Sequence, residues 1–582
     1  MSSNERVRRR HFAHWAAAGL LAAAMSTAAP PARAQNNAPT QFNEMTLAQL
    51  QNAMAAGTLT SAQLTQFYID RIVALDQNGP GVNSVIELNP DALASARSAD
   101  LQRKQGKVLG PLHGIPVLLK DNIDTGDKMQ TTAGSFALAG KPAVRDSTVA
   151  AKLRAGGAVI LGKTNLSEWA NFRSFFSSSG WSGRGGLTHN PYSLDRNACG
   201  SSSGSAASVA ANFAAVGLGT ETDGSIVCPA NVNAVVGIKP TVGVTSRAGV
   251  VPISHTQDTV GPHGRTVADA AAVLNVIASR TPDARDPATS GVPLGWQGTG
   301  RTRPALPADY TAFVDPNGLR GARVGVTRQG IDNAPPQVIA VFDNALAAIQ
   351  AAGATLVDLD AQGFPAATAD GEFVVLLFDF KIDLKSYFAT RVGVPMASKT
   401  LTDAIAFNNA NAATEMPYFF QEIFELADLF STDPNAPQPF FGISYNQALA
   451  LDHAAGVAFD DALAANHLDA VVAPTDSPGW TTDLLLSDHF LFASSGLAGG
   501  PGYPIVQVPA GNVNGMPQGI SFIGTAFSEP TLIKLAAGFE AATHARITPT
   551  FTGDITLPNT AGTTLTPPKP SKKDAKRKPH RM

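Results

Sequence analysis

The sequence predicts an α/β protein, a β-sheet carrying helices on its faces. Three observations support that class. Between about residues 106 and 280, short apolar runs alternate with segments of helical spacing. The alternation resumes at Val324 and continues to a last apolar run after Ile505. A chain of 582 residues, 44% apolar and 15% charged, also has ample material for a globular core.

The chain opens with Arg8-Arg9-Arg10-His11-Phe12, a mild apolar run from Trp15 to Met25, and Ala32-Arg33-Ala34 before Gln35. A basic start, a short apolar stretch and an A-x-A site describe an export signal over residues 1–34. Arg9-Arg10-x-Phe12 points to the twin-arginine route ahead of the general secretory one. The protein is therefore expected in the periplasm or outside the cell. With no later run of about 18 apolar residues, no membrane span is expected.

Residues 45–78 read as helices, with Thr60-Ser61-Ala62-Gln63 in capping-box order ahead of Leu64, Phe67, Ile72 and Leu75. Strands are expected at Ile115–Leu119, Ala158–Leu161 and Ala234–Ile238. Helices are expected at Thr148–Ala155 and Val267–Ile277, the second capped by Thr266 with Asp269 three residues on. Gly157-Ala-Val-Ile-Leu-Gly162-Lys163-Thr164 has the spelling of a phosphate loop. Such a loop is a turn between strand and helix, whereas Ala158–Leu161 is itself strand-like, so nucleotide binding is rejected.

Residues 281–320 are rich in Pro, Gly and Asp and read as a surface excursion. A strand to Val326, a helix over Gln337–Ala352 and a strand at Thr355–Val357 follow. Eleven of the 29 Phe fall between Phe373 and Phe441, against about 3 or 4 for an even spread. They read as helical core, with some rings lining an apolar substrate pocket. A helix at Tyr445–Ala465 and a strand at Ala470–Ala473 come next. A last strand and helix follow Ala498-Gly-Gly-Pro-Gly-Tyr-Pro-Ile505.

The tail from Thr563 is rich in Pro, Lys and Arg and reads as disordered. It carries seven basic residues against Asp574, and residues 1–34 carry five against Glu5. The body from 35 to 562 therefore holds a net charge of −13 within a chain total of −3. An acidic body argues against nucleic acid as a partner.

The candidate chemistry lies between Cys199 and Ala230. Gly200-Ser201-Ser202-Ser203-Gly204 is a run of small residues that lets backbone turn tightly and leaves hydroxyls uncovered. An Ala-rich run to Val216 leads to a second small-residue turn, Gly219 to Ser225. A hydroxyl nucleophile needs a base. One choice is histidine: the first run fits the G-x-S-x-G elbow, with Ser202 as nucleophile. The elbow needs a strand directly before it, and residues 194–198 do not read as one. The other choice is Lys120, which ends the apolar strand Ile115–Leu119 and precedes Asp121 and Asn122. A buried lysine must be paired or lose its charge, so Lys120 is an ion-pair partner or a neutral base.

Cys199 and Cys228 flank the two serine turns. Export permits a disulfide between them, although two buried thiols is the simpler expectation. No Cys/His cluster has zinc-ligand spacing, so no metal is expected. Among the histidines near these motifs, His113, His189, His255 and His263 read as structural or substrate-side.

Several stretches together resemble the amidase signature family of serine hydrolases: G-I-P-V-L-L-K-D-N at 114–122, T-T-A-G-S at 131–135, D-S-T-V-A-A-K-L-R-A-G-G-A-V-I-L-G-K-T-N at 146–165, the 199–230 stretch, and V-V-G-I-K-P-T-V-G at 235–243. The resemblance runs from about Met45 to His544. It implies a single large catalytic domain over 35–562, with a central mixed sheet covered by helices on both faces. It also implies Lys120 as base, Ser201 in a cis peptide as bridging serine, and Ser225 as nucleophile. The N–H groups of Thr222, Asp223, Gly224 and Ser225 would form the oxyanion hole. Two positions depart from the family, which usually has Gly at 223 and Arg at 227; the wording of 199–230 looks most like bacterial peptide amidases.

The resemblance implies hydrolysis of a carboxamide through an acyl-enzyme, without cofactor, on a small-molecule or peptide amide. C-terminal peptide amides rank first and aryl acyl amides or esters second. A periplasmic solute-binding protein is the rival from another class; it would share the export signal but not need Lys120 with two serine turns. The glutamine-hydrolysing component of tRNA amidotransferases, from the same family, is set aside, because an exported chain does not meet cytoplasmic tRNA.

Overall fold

The computed structural model describes residues 38–364 and 371–553. The expected export signal and basic tail lie outside those residues. The main sheet has eleven strands and is mixed. Along the chain the strands are β1 (Val85–Leu88), β2 (Pro116–Lys120), β3 (Val159–Thr164), a separate pair β4 (Trp181–Ser182) and β5 (Gly186–Leu187), β6 (Val216–Glu221), β7 (Val236–Lys239) and β8 (Thr259–Gly264). After them come β9 (Arg323–Val326), β10 (Thr355–Asp358), β11 (Ala470–Pro474), β12 (Ile505–Val513) and β13 (Met516–Ile523). Spatial order in the large sheet is β1-β3-β2-β6-β8-β7-β12-β13-β11-β9-β10. β3, β2 and β6 run parallel, as do β11, β9 and β10, while the centre is antiparallel. Parallel strands are sheathed on both faces, which is why β2 and β11 read as continuous apolar runs and are buried throughout.

Local signals decide the structure where they are strong. The Thr60 capping box forms, with Gln63 answering the cap, and opens the helix Ser61–Arg71. Helices stand at Thr148–Ala155, Val267–Ile277 and Tyr445–Ala465. Gly157–Thr164 runs into β3, and Lys163 is buried with its ammonium on Ile123 O (2.6 Å) and Thr131 Oγ1 (2.9 Å). A lysine so engaged leaves no phosphate loop.

Four expectations need correction. Gly219 lies inside β6, so the second turn is shorter than read and spans Thr222 to Ser225. Residues 281–320 are not a simple excursion, since Leu294 and Tyr310 pack into the interior. Two strands, not one, precede the last helix, because Asn514 and Gly515 both take positive φ (51° and 84°) and turn β12 back into β13. Finally, Cys199 and Cys228 are not free thiols: they form a disulfide, their Cα atoms 6.0 Å apart. The Phe-rich segment is core in part, while Phe420, Phe440 and Phe441 are exposed. Phe378, Phe380, Phe388, Phe424 and Phe430 pack with Trp169 and Phe172.

Candidate active site

Parallel strands place their carboxyl ends on one edge, and that is where the site assembles. Lys120 is the last residue of β2, while β6 pairs beside it, Leu119 opposite Leu218. The chain leaves β6 at Glu221 straight into the 222–225 turn. The helix Ser203–Ala210, built only from small residues and buried along its whole length, lies against β2, β3 and β6. Its tight fit brings the preceding serines down to the strand ends. Gly204 shows how tight: a Cβ there would stand 2.2 Å from Ser84 O and 2.6 Å from Asn165 O.

The Gly200–Ser201 peptide is cis, and Cys199 before it has φ of 51°. Ser201 Oγ accepts from Lys120 Nζ at 2.7 Å. The same ammonium reaches Thr220 Oγ1 at 2.9 Å and Thr220 O at 3.2 Å, and Asn122 Nδ2 steadies the Thr220 hydroxyl at 2.9 Å. Lys120 is 0% exposed and, among the described residues, has no carboxylate in contact. Burial pushes its pKa down to about 7, against the opposing pull of Asp258 and Glu221.

The second turn is tied to the first by Ser202 N–H donating to Ser225 O at 3.1 Å. Glu221 accepts from the N–H groups of Ile226 (2.6 Å) and Val227 (2.9 Å), fixing the far side of the turn. Thr222 Oγ1 donates to Asp258 Oδ1 at 2.6 Å, and Asp258 Oδ2 takes the N–H groups of Ile253 and Ser254. Gly224 adopts φ of 77°, a conformation glycine holds without strain. Among the described residues, no protein acceptor takes the N–H groups of Asp223, Gly224 or Ser225. A cavity of about 240 Å³ opens onto Gly200 and Gly224, and the Cys199–Cys228 bridge, Trp480 and Phe490 form part of its wall.

The structure brings Lys120 onto Ser201 and joins Ser225 to the neighbouring Ser202 through its carbonyl, and the four residues Thr222 to Ser225 form one turn beside the cavity. The elbow reading does not hold. Residues 194–199 form no strand, and the Ser202 hydroxyl is fully buried, donating to Thr220 O and accepting from Thr220 N–H. His113, His189 and His263 bond to main-chain carbonyls, as structural histidines do. None of the Phe residues between 373 and 441 lines this cavity. Val227, where the family usually has Arg, packs with Leu497, Val471 and Tyr503. Sequence reasoning missed Thr220, Asn122 and Asp258, whose roles depend on partners across the fold.

A profile described as Amidase matches residues 63–533, and the chain belongs to that family. It is an amide-hydrolysing enzyme. The Arabidopsis thaliana protein named "Probable amidase" is 41% identical over 523 residues, covering 88% of this chain and 92% of that one. The solved native peptide amidase from Stenotrophomonas maltophilia is 46% identical. It covers 88% of this chain and 100% of its own, with a TM-score of 0.79. A solved amidase family protein from Bacillus anthracis is 33% identical, covers 88% of this chain and 93% of its own, and has a TM-score of 0.76.

Proposed function

We propose that this amidase cleaves C-terminal carboxamides of peptides, releasing ammonia, with Lys120 as base, Ser201 as proton bridge and Ser225 as nucleophile. The observation that carries the assignment is the 2.7 Å contact from a buried, carboxylate-free Lys120 to Ser201 beside the Ser225 turn. A lysine with pKa near 7 is half neutral at neutral pH and accepts a proton. Ser201 passes its proton to Lys120 and takes one from Ser225, whose oxygen attacks the amide carbonyl. The free N–H groups of Asp223, Gly224 and Ser225, with Thr222 in the same turn, receive the developing oxyanion. The relay then protonates the leaving nitrogen, and water releases the acid. The substrate class is supported by similarity over the whole length of the Stenotrophomonas peptide amidase and by 45% identity to a peptide amidase solved with the competitive inhibitor chymostatin.

We also propose that residues 1–34 direct export, that 35–562 form the catalytic unit and that the protein works in the periplasm or outside the cell. The motivation is the basic, apolar and Ala-Arg-Ala sequence at the start of the chain.

The test is ammonia release from an N-blocked dipeptide amide, beside aniline release from acetanilide. Ser225→Ala should abolish both turnover and fluorophosphonate labelling while the protein stays folded. Lys120→Ala should cost about three orders of magnitude or more in acylation, and His263→Ala far less. Rapid anilide cleavage with no ammonia from peptide amides would overturn the substrate reading alone. Labelling that survives Ser225→Ala would overturn the nucleophile.

A further inference from the structure

The cavity beside the reactive turn is walled by three carboxyl groups from three separate segments: Asp223 in the turn itself, Asp476 just past β11, and Asp488 in the following loop. Among the described residues, no lysine, arginine or histidine lines it. Asp476 is buried, Asp488 half-buried and Asp223 exposed. A buried carboxylate is ordinarily paired with a cation, and among the described residues Asp476 has none. Among the described residues, Asp476 accepts only from the N–H (2.7 Å) and hydroxyl of Ser477. Asp488 accepts from Ser179 N–H and Oγ (3.0 and 2.6 Å), with Asn197 Nδ2 at 3.5 Å, all neutral donors. His489 beside it leans instead toward Asp483 at 3.7 Å.

The protein behind Asp223 supplies little counter-charge. Lys239 is buried there with its ammonium on the carbonyls of Tyr503 (2.6 Å) and Ala498 (3.4 Å). Glu221, Asp223, Glu529 and Glu372 all draw on that one lysine. Glu372 comes close to Asp223: a Cβ placed on Gly499 would stand 3.0 Å from Glu372 Oε1 and 3.3 Å from Asp223 Oδ1. Burial raises the proton affinities of Asp476 and Asp488, and Asp223 and Asp488 raise that of Asp476 further.

Two aromatic rings complete the wall. Trp480 and Phe490 lie with centroids 6.3 Å apart and planes tilted by 50°, and Phe490 is half open to solvent. Carboxylates sharing a cavity with aromatic rings are what a guanidinium or ammonium selects, through charge-assisted hydrogen bonds and the ring faces. At about 240 Å³, the cavity falls below the usual 300–1,000 Å³ of ligand pockets and suits one side chain better than a whole peptide.

We propose that this cavity is a subsite for a cationic group on the substrate, so that amides carrying a guanidinium or ammonium are preferred. The proposal rests on the reading of primary-amide cleavage. Because the leaving group is ammonia, the cation must belong to the acyl part. The enzyme would then favour peptides whose basic side chain stands close to the terminal carboxamide.

The deciding comparison is N-benzoyl-arginine amide against N-benzoyl-citrulline amide, nearly equal in shape and different by one charge. The purified enzyme should show kcat/KM about tenfold or more higher for the arginine compound. Asp476→Asn and Asp488→Asn should each reduce that ratio at least about threefold. A ratio near one in the unmodified enzyme, which needs no variant to fold, overturns the subsite. A ratio unchanged in both variants overturns it too. No ammonia from either compound would bring down the primary-amide reading and the subsite with it, a result distinct from equal turnover.

Discussion

Lys120 and Ser201, 81 positions apart in the chain, meet at 2.7 Å in the buried interior. The contact exists because β2 ends on the lysine and the helix Ser203–Ala210 packs flat enough to lower Ser201 onto that strand end. Around the ammonium stand two hydroxyls and one carbonyl, and no carboxylate among the described residues touches it. Neutral acceptors hold the ammonium less strongly than a carboxylate in contact would, and burial outweighs them in favour of the neutral form.

That balance predicts the pH dependence. The reactive form has Lys120 deprotonated, so kcat/KM should rise with pH and level off above about 7, where the lowered pKa stands. A lysine of ordinary pKa would still be gaining activity near about pH 10. A pH–rate profile on a substrate without ionisable groups checks this, and a limb climbing past about pH 9 would contradict it.

Asp258 is a positioning residue for the reactive turn. One oxygen holds the Thr222 hydroxyl and the other holds the Ile253 and Ser254 amides. Asn at 258 cannot satisfy all three donors, so Asp258→Asn should lower kcat about tenfold to a hundredfold through displaced N–H groups. KM should move little, and Thr222→Val should show a milder version of the same split. A change confined to KM would place Asp258 in substrate binding instead.

Gly204 allows no side chain, since backbone oxygens of Ser84 and Asn165 occupy the space a Cβ would need. Backbone cannot swing aside as a flexible side chain does. Gly204→Ala should therefore cost about 3 kcal/mol of stability or more, with activity falling because Ser201 shifts with the helix. Thermal unfolding measures the first effect, and an unchanged Tm would show that the helix can move.

The Cys199–Cys228 bridge ties the residue before the cis serine turn to the helix after the nucleophile turn, 29 positions on. Closing a loop of that size removes about 3–4 kcal/mol of unfolded-chain freedom. Cys199→Ser with Cys228→Ser should lower Tm by several degrees and weaken activity on every amide alike. Equal Tm with and without reductant would argue that the bridge is not formed in the purified protein.

Much of the architecture is legible in the chain because it is encoded over short spans. The Thr60 and Thr266 caps, the helices Thr148–Ala155 and Tyr445–Ala465, and the apolar runs of β2 and β11 are set by periodicity and turn chemistry within a few consecutive residues. The predicted positions of Lys120, Ser201 and Ser225 rest on motifs of the same short reach. The turn at Asn514-Gly515 carries an equally local two-residue hairpin signal, and only its position between two strands was not anticipated.

Other features have no local signature. Thr220 beneath Lys120, Asp258 behind Thr222, the bridge between Cys199 and Cys228, and the wall shared by Asp223, Asp476 and Asp488 each join residues from different segments. Sequence determined which side chains were available and the conformation of the turns that carry them. Tertiary structure decided which of them met, because strand order and the packing of one small-residue helix set distances that no periodicity contains. The withdrawal of solvent by that packing is also what shifts the proton affinity of Lys120, a property absent from the unfolded chain.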